Sequence, residues 1–267
     1  MKHPITLLID GDIMCYKEAS KQLKVNWEDG EGDVFLDLTE EEFTQMKDNI
    51  KAEVAFFQKG FKANAVWVLF SDKDNFRKKI YPDYKANRKD KVKPPMLPEL
   101  RKFCEDTFPT HSRKWLEADD IMGIMSTSPK LKGTKIICSI DKDFKQIPGY
   151  LFNPNKDITP DGTLNCTEVN DVDANLYFYT QCLTGDAVDG YPGCPKVGAV
   201  KAAKALEGLY DERDMWTAVV EIYESKGLTE EDALVQARCA RILRHTDYDA
   251  KNKKVKLWTP RKQGVKK

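Results

Sequence analysis

Histidine is scarce in this chain: His3, His111 and His245 are the only three, and none stands at ligand spacing from another. The seven cysteines are odd in number, lie far apart and include no C-x-x-C pair. Neither a zinc site nor a disulfide framework is therefore supported, and reduced thiols in a cytosolic protein are expected. No Ser/His or Cys/His arrangement stands out, so nothing points to a side-chain nucleophile. Long apolar runs are missing as well. The first, "ITLLI" (5–9), is far too short to span a bilayer and ends against Asp10. Neither a signal peptide nor a membrane helix is expected. No internal repeat is visible.

Net charge is absent too, with 43 basic residues against 43 acidic ones. That balance conceals a pattern. Residues 73–93 hold nine basic and three acidic side chains, the tail from Lys251 holds eight basic and none acidic, and residues 28–48 are acidic. A neutral total can thus carry basic stripes suited to a polyanion, although isolated lysine runs are commonly just solvated surface. With 41% hydrophobic and 32% charged residues in 267, the chain is a soluble globular protein, long enough for one large domain or a core with a smaller module.

Three runs read as buried, parallel-type strands: "ITLLID" (5–10), "AVWVLFSD" (65–72) and "TKIICSID" (134–141). Helical patterns lie between them. One spans Glu40 to Lys59, with Phe43, Met46, Ile50, Val54 and Phe57 on one face; others run near Leu97–Phe108 and from Glu117 through Met125. This alternation predicts an α/β domain with a parallel sheet. Residues 149–162, rich in Pro, Asn and Gly, read as loop. Helices are expected at 173–183, 199–206 and 229–245, the last with Thr229 and Asp232 as a capping pair. The domain boundary falls near residue 165, dividing a core (1–165) from a helical module and basic tail (166–267).

Each predicted strand ends in Asp: Asp10, Asp72 and Asp141. One such Asp is ordinarily a helix cap. Three of them converge on the carboxyl rim of the sheet, where ligands bind in open α/β folds. More acids join them: Asp12 in "DGD", Glu117, Asp119 and Asp120 in "EADD", Asp143 in "DKD", and Asp186 and Asp189 three residues apart. Each short motif alone has a structural reading, acids being common in the first turn of a helix. Together they would repel and raise one another's pKa values unless divalent cations lay among them. An all-oxygen donor set suits Mg²⁺ or Mn²⁺ rather than zinc. Two such ions roughly 3.5–4 Å apart suit phosphodiester hydrolysis.

"GYPGCPKVG" (190–198) lies between two helical segments. Gly190, Gly193 and Gly198 would let the backbone approach a phosphate, helped by helix N–H groups and by Lys196 and Lys201. An ordinary tight connection has the same texture. In "YPDYKANRK" (81–89), Tyr81 and Tyr84 could stack on unpaired bases while Lys85, Arg88 and Lys89 hold the backbone. Lys85 or Arg88 could also stabilise charge on a scissile phosphate; an exposed basic helix is the plainer alternative.

The ordered series "DGD", "FSD" with "YPDYKANR", "EADD", "SIDKDF" and "GDAVDGYPGCPKVG" resembles the 5′-nuclease (flap endonuclease) superfamily. "YKANRK", "DKDFK", "TEEDALVQARCARILR" and "LWTP" make it most similar to the stand-alone 5′→3′ exonucleases of short-tailed bacteriophages, over residues 5–260. The resemblance implies a PIN-like parallel sheet flanked by helices, with a helical arch region and an α-helical helix–three-turn–helix DNA-binding module (helix–hairpin–helix at about 174–206). It implies that Asp10, Asp72, Glu117, Asp119, Asp120, Asp141, Asp143, Asp186 and Asp189 line a site for two Mg²⁺ or Mn²⁺ ions. Asp12 is an additional acid where many members have a neutral residue. Lys85 and Arg88 would stand over the scissile phosphate, and residues 190–198 would hold duplex DNA with a monovalent cation on their carbonyls. The implied work is removal of RNA primers from RNA–DNA hybrid and resection of 5′ ends, on duplex or flapped DNA, by a monomer in the host cytoplasm that acts apart from any polymerase. The arch segment "VKPPMLP" (92–98) is short and broken by proline, which departs from members that thread flaps through a closed arch. Two other classes share parts of the pattern. A haloacid-dehalogenase-type phosphatase also has D-x-D after its first strand, but its late acids should follow a strand. A non-catalytic nucleic-acid-binding protein gains nothing from so many acids.

Overall fold

The computed structural model describes residues 3–24, 34–35, 37–89 and 92–261. Parts of the acidic stretch 28–48, Lys91 of the basic stripe, and the tail from Lys262 lie outside the described residues.

A six-stranded sheet forms the centre. β1 (Ile5–Asp10) lies parallel between β4 (Ala65–Phe70) and β6 (Thr134–Cys138). Outside β4 runs β5 (Thr110–Ser112), also parallel; outside β6 runs parallel β7 (Gly149–Phe152), and β8 (Thr167–Val169) closes that edge antiparallel. Two-residue ladders pair β2 (Leu23–Lys24) with β3 (Val34–Phe35) and β9 (Tyr248–Asp249) with β10 (Lys254–Val255).

The central strands are apolar throughout because both faces are covered. Strand alternation sends Leu7, Ile9, Val66, Val68, Phe70, Ile136 and Cys138 to one face, under α1 (Gly11–Ala19), α2 (Glu40–Phe61) and α3 (Leu97–Thr107). Leu8, Leu69 and Ile137 face α4 (Ala118–Thr127) on the other side. Each such fully buried side chain contributes about 1.5–3 kcal/mol. α2 buries the expected Met46, Ile50, Val54 and Phe57, and opens with a capping box between Thr39 and Glu42. A second core joins α5 (Asp171–Thr184), α6 (Ala199–Leu206), α7 (Glu212–Glu224) and α8 (Glu230–Ala240) through residues such as Phe178, Leu206, Met215 and Ala237. Among the described residues no helix is long and apolar enough to cross a membrane.

Several expectations shift. β4 and β6 end at Phe70 and Cys138, so Asp72 and Asp141 sit in the turns beyond their strands, whereas Asp10 is the last residue of β1. Residues 149–152, expected as loop, form β7, since the edge of β6 supplies the ladder partners that local composition does not reveal. The helix expected over 229–245 stops at Ala240. Buried groups of the sheet domain capture the chain beyond it: Ile242 N–H donates to Gln146 Oε1 at 2.8 Å and Leu243 N–H to Asp120 Oδ1 at 3.2 Å. That return, and the pairing of Thr167–Val169 with β7, both cross the boundary drawn near residue 165.

Candidate active site

The acids reach one rim because each strand of the central trio passes straight into a turn whose N–H groups need acceptors. Asp10 caps α1: it accepts from Ile13 N–H at 3.0 Å and from the Ser139 hydroxyl at 3.1 Å. Asp141 accepts from Asp143 N–H at 2.8 Å. Asp72 accepts from Trp115 N–H at 2.8 Å, a donor aimed by the left-handed backbone of Trp115 (φ 69°). Asp12 accepts from Ser71 N–H at 2.8 Å. The ordinary capping role and a role at the rim thus coexist in the same side chains.

Three groupings follow. The first is Asp10, Asp119 and Asp141. Asp10 is only 4% exposed; burial drives its carboxyl up to about 7 against the Ile13 N–H, with Asp12 and Asp141 adding repulsion. Burial, then Asp10 and Asp141, push Asp119 well above the carboxylate range. No described residue donates a hydrogen bond to Asp119. These carboxylates, from β1, α4 and the turn after β6, lie close enough to repel one another, and no described residue forms a salt bridge with them; Lys85 offsets the rise at Asp119 only in part.

The second grouping is Glu117 and Asp189, clamped by cations. Glu117 pairs with Lys85 and with Arg77 at 3.1 Å, and Asp189 pairs with Arg88 at 2.6 Å and Lys85 at 3.5 Å. Burial would raise the Glu117 carboxyl, but Lys85 and Arg77 win and hold it at about 2. The third is Asp143 and Asp186, bridged by the Lys142 ammonium at 3.0 and 2.9 Å. Burial and Asp141 raise the Asp143 carboxyl; Asp186 lies below its ordinary value because Lys142 and two N–H groups outweigh burial. The Asp186–Asp189 spacing belongs to a turn closed by Gly190 N–H on Asp186 O, not to a helix. Among the described residues no three acids are drawn onto one point in metal-binding geometry; lysines stand between two of the pairs.

Some expected site residues have other work. Asp120 is fully buried, and its oxygens accept from Arg77 Nη1 and Nη2, Glu117 N–H and Leu243 N–H. That is a structural ion pair facing the interior, not an acid facing the rim. Tyr84 is 2% exposed, its hydroxyl donating to Asp189 at 2.8 Å and Glu117 at 3.1 Å. A ring so covered has no face left for a base. Gly193 is buried, its N–H taken by Gln236 Oε1 at 2.8 Å. With φ of +66°, a Cβ there would lie 2.2 Å from Gly185 N, so this glycine shapes the hairpin and meets no phosphate. Tyr81 is half-buried against the helical core.

Lys89, Lys196, Gly198 and Lys201 are exposed. Gly190 packs its Cα toward Asp83 O and Lys85 N, bringing the hairpin against the 81–88 segment. There Lys85, at φ 56°, donates its N–H to Asp189 O at 2.7 Å.

Sequence reasoning missed Ser139, Ser71, Arg77, Lys142, Tyr177 and Gln181, the last two donating to Asp143 at 3.3 and 2.8 Å. Lys142 and Ser71 lay inside quoted motifs, so their motif positions were a signal. Gln181 carried none.

The 5′-3′ exonuclease N-terminal resolvase-like domain matches residues 6–152. The chain is 29% identical to the exonuclease of Escherichia phage T7, covering 95% of this chain and 93% of that protein. It is 28% identical to the exodeoxyribonuclease of Enterobacteria phage T3, over 96% and 93% respectively. In fold it is similar to the bacteriophage T5 D15 flap endonuclease, crystallised as a pseudo-enzyme–product complex with DNA and metal ions. There the TM-score is 0.61 at 16% identity, over 88% of this chain and 93% of that one. The domain match, spanning more than half the chain, together with the two full-length phage relatives, makes this protein a member of the 5′-3′ exonuclease family.

Proposed function

We propose that the chain hydrolyses phosphodiester bonds from the 5′ ends of duplex DNA, and of RNA primers in RNA–DNA hybrid, with a requirement for Mg²⁺ or Mn²⁺, in phage DNA replication and recombination. One observation carries the reading: burial drives the Asp10 and Asp119 carboxyls up, Asp141 adds repulsion to each, and no described residue forms a salt bridge with either, while Lys85 and Arg88 are held on Glu117 and Asp189.

The residues fit hard divalent ions. All donors are carboxylate oxygens, and the strain of their mutual repulsion is the kind a bound dication removes. Asp10, Asp119 and Asp141 would hold one ion, with Asp12 and Asp72 beside them; Asp143, Asp186, Asp189 and Glu117 would serve a second. Bound ions would lower the pKa of a water nucleophile and stabilise the leaving 3′ oxygen.

The chain's own groups do the rest. Ile13 N–H and Ser139 fix the Asp10 carboxylate. Arg88, 42% exposed, can leave Asp189 for a phosphate at small cost, and Lys85 can turn from Glu117 when the local negative charge is neutralised. The start of α6, with Gly198 as its N-cap, offers open N–H groups to the backbone beside Lys196 and Lys201. Lys196 O already accepts the Lys201 ammonium at 3.1 Å, so a monovalent cation on the hairpin would share that carbonyl surface.

Blunt duplex, 5′-flapped duplex and RNA–DNA hybrid, each supplied with Mg²⁺, test the substrate range. Faster release from blunt duplex and hybrid supports the exonuclease reading; cutting confined to the flap junction moves the assignment to a flap endonuclease.

A further inference from the structure

The basic residues around 73–79 and in the tail are not absorbed by the site above. The fold brings them together. Tyr248 of β9, Val255 of β10, Trp115 and Phe76 share one apolar cluster. Arg113 lies over the Tyr248 ring at 4.9 Å, and Lys79 and Lys114 lie over Trp115 at 3.9 and 6.0 Å. Phe76 N–H donates to Trp115 O at 3.1 Å, joining the two loop segments. With Val255 turned inward, Lys254 and Lys256 fall on the outer side of the hairpin, and both are exposed. Lys79, Lys114, Lys254 and Lys256 form no ion pair with a described carboxylate. A cationic face built from three separated stretches of chain thus stands without a salt bridge, with Asp249 near enough to Lys256 to feel its charge.

We infer that this face is a second DNA-binding surface, which holds the phosphate backbone of the strand as it leaves the acidic rim. Three observations favour DNA over an acidic protein. The face abuts the rim directly, since Trp115 N–H donates to Asp72 at 2.8 Å. A backbone leaving Asp72 meets Lys79 and Lys114 first. Next, of the exposed large apolar side chains in the described chain only Leu257 borders this face, too little to form the apolar centre of a protein interface. Finally, its cations are exposed lysines, suited to sequence-independent phosphate contacts with counterion release. The direction of the strand rests on the nuclease reading above; the binding itself does not.

The test compares wild type with the triple variant Lys79→Ala/Lys114→Ala/Lys254→Ala and the charge-keeping variant K79R/K114R/K254R. Binding to a labelled duplex is measured by anisotropy in EDTA across a salt series, so that cleavage does not enter. The alanine variant should bind about tenfold more weakly at low salt, with a slope of log K against log [salt] shallower by about 2–3, near 0.9 per lost contact. The arginine variant should match wild type. With Mg²⁺, turnover on a saturating short substrate should stay unchanged while KM rises. An unchanged slope and affinity in the alanine variant overturn the proposal. So does competition by poly-glutamate as effective as that by DNA of equal charge. Absence of any DNA binding by wild type would instead overturn the nuclease reading, so the two failures are distinct.

Discussion

Arg77 grips Asp120 with both arms of its guanidinium, Nη1 at 2.8 Å from one carboxylate oxygen and Nη2 at 2.7 Å from the other, and both residues are buried. The same guanidinium donates to Glu117 at 3.1 Å and to the carbonyls of Cys239 and Arg241. One side chain thus ties the 73–80 loop, α4 and the segment after α8 together, and steadies Glu117 at the rim. Removing one partner leaves a buried charge unpaired. Arg77→Met should cost about 3–5 kcal/mol in urea unfolding, and Asp120→Asn a similar amount. The double variant Arg77→Met/Asp120→Leu should recover part of that loss. A cost below about 1 kcal/mol for either single change would show the pair to be dispensable.

Asp141 adds to the repulsion on Asp10 and Asp119 and forms no salt bridge with a described residue; the proposed mechanism gives it a place among the metal-holding acids. Asp141→Ala should lower cleavage by about 10³-fold, the scale of losing one strong transition-state interaction. DNA binding and the unfolding midpoint should change little. Cleavage at the wild-type rate would remove Asp141 from the mechanism.

Tyr84 makes the opposite case. Its ring is covered and its hydroxyl serves two carboxylates. Tyr84→Phe should cost about 1–3 kcal/mol of stability, as expected for hydrogen bonds to charged groups. Affinity for single-stranded DNA at neutral pH should be unchanged. A large loss of that affinity with unchanged stability would restore the stacking role suggested by "YPDYKANRK".

Burial holds the Asp10 carboxyl near 7, against about 3.9 in an unfolded chain. Between those values the folded protein keeps a proton that the unfolded chain has lost. The stability linked to Asp10 is therefore complete only below about 3.9, falls progressively as pH rises, and is gone above about 7. Glu117, held at about 2, acts in a separate window: its contribution is complete above the unfolded value of about 4.3 and fades below it. Metal-free protein should melt at a lower temperature at about pH 8 than at about pH 5.5. Asp10→Asn should flatten that limb, and added Mg²⁺ should raise the midpoint most at high pH. A flat profile in the metal-free wild type would contradict the electrostatic account of the rim.

The central strands were legible because their apolar runs are uninterrupted, and α2 because Met46, Ile50, Val54 and Phe57 repeat at helical spacing. β7 was not, since residues 149–152 become a strand only when β6 offers its edge. The premature end of α8 had a similar cause. Nothing local marks Ala240, and the helix stops because Gln146 and Asp120 draw Ile242 and Leu243 inward. At the rim, the motifs revealed which acids gather but not how they divide. Asp119 and Asp120 are neighbours in sequence, yet one lies half-buried beside Asp10 and Asp141 and the other is locked on Arg77. Helix geometry separates adjacent side chains by roughly 100°, and only the position of Arg77 decides which serves the core. Tyr84 likewise sits in a basic stretch that looks exposed until the helical module covers it.

The central claim is a metal-dependent nuclease that works from 5′ ends. The most direct measurement uses one duplex labelled at a 5′ end and another labelled at a 3′ end, each with and without Mg²⁺. The account predicts immediate release of small labelled products from the 5′ label, gradual shortening of the 3′-labelled strand, and neither without the metal. No cleavage of either duplex with Mg²⁺ or Mn²⁺, or loss of the 3′ label first, would contradict it.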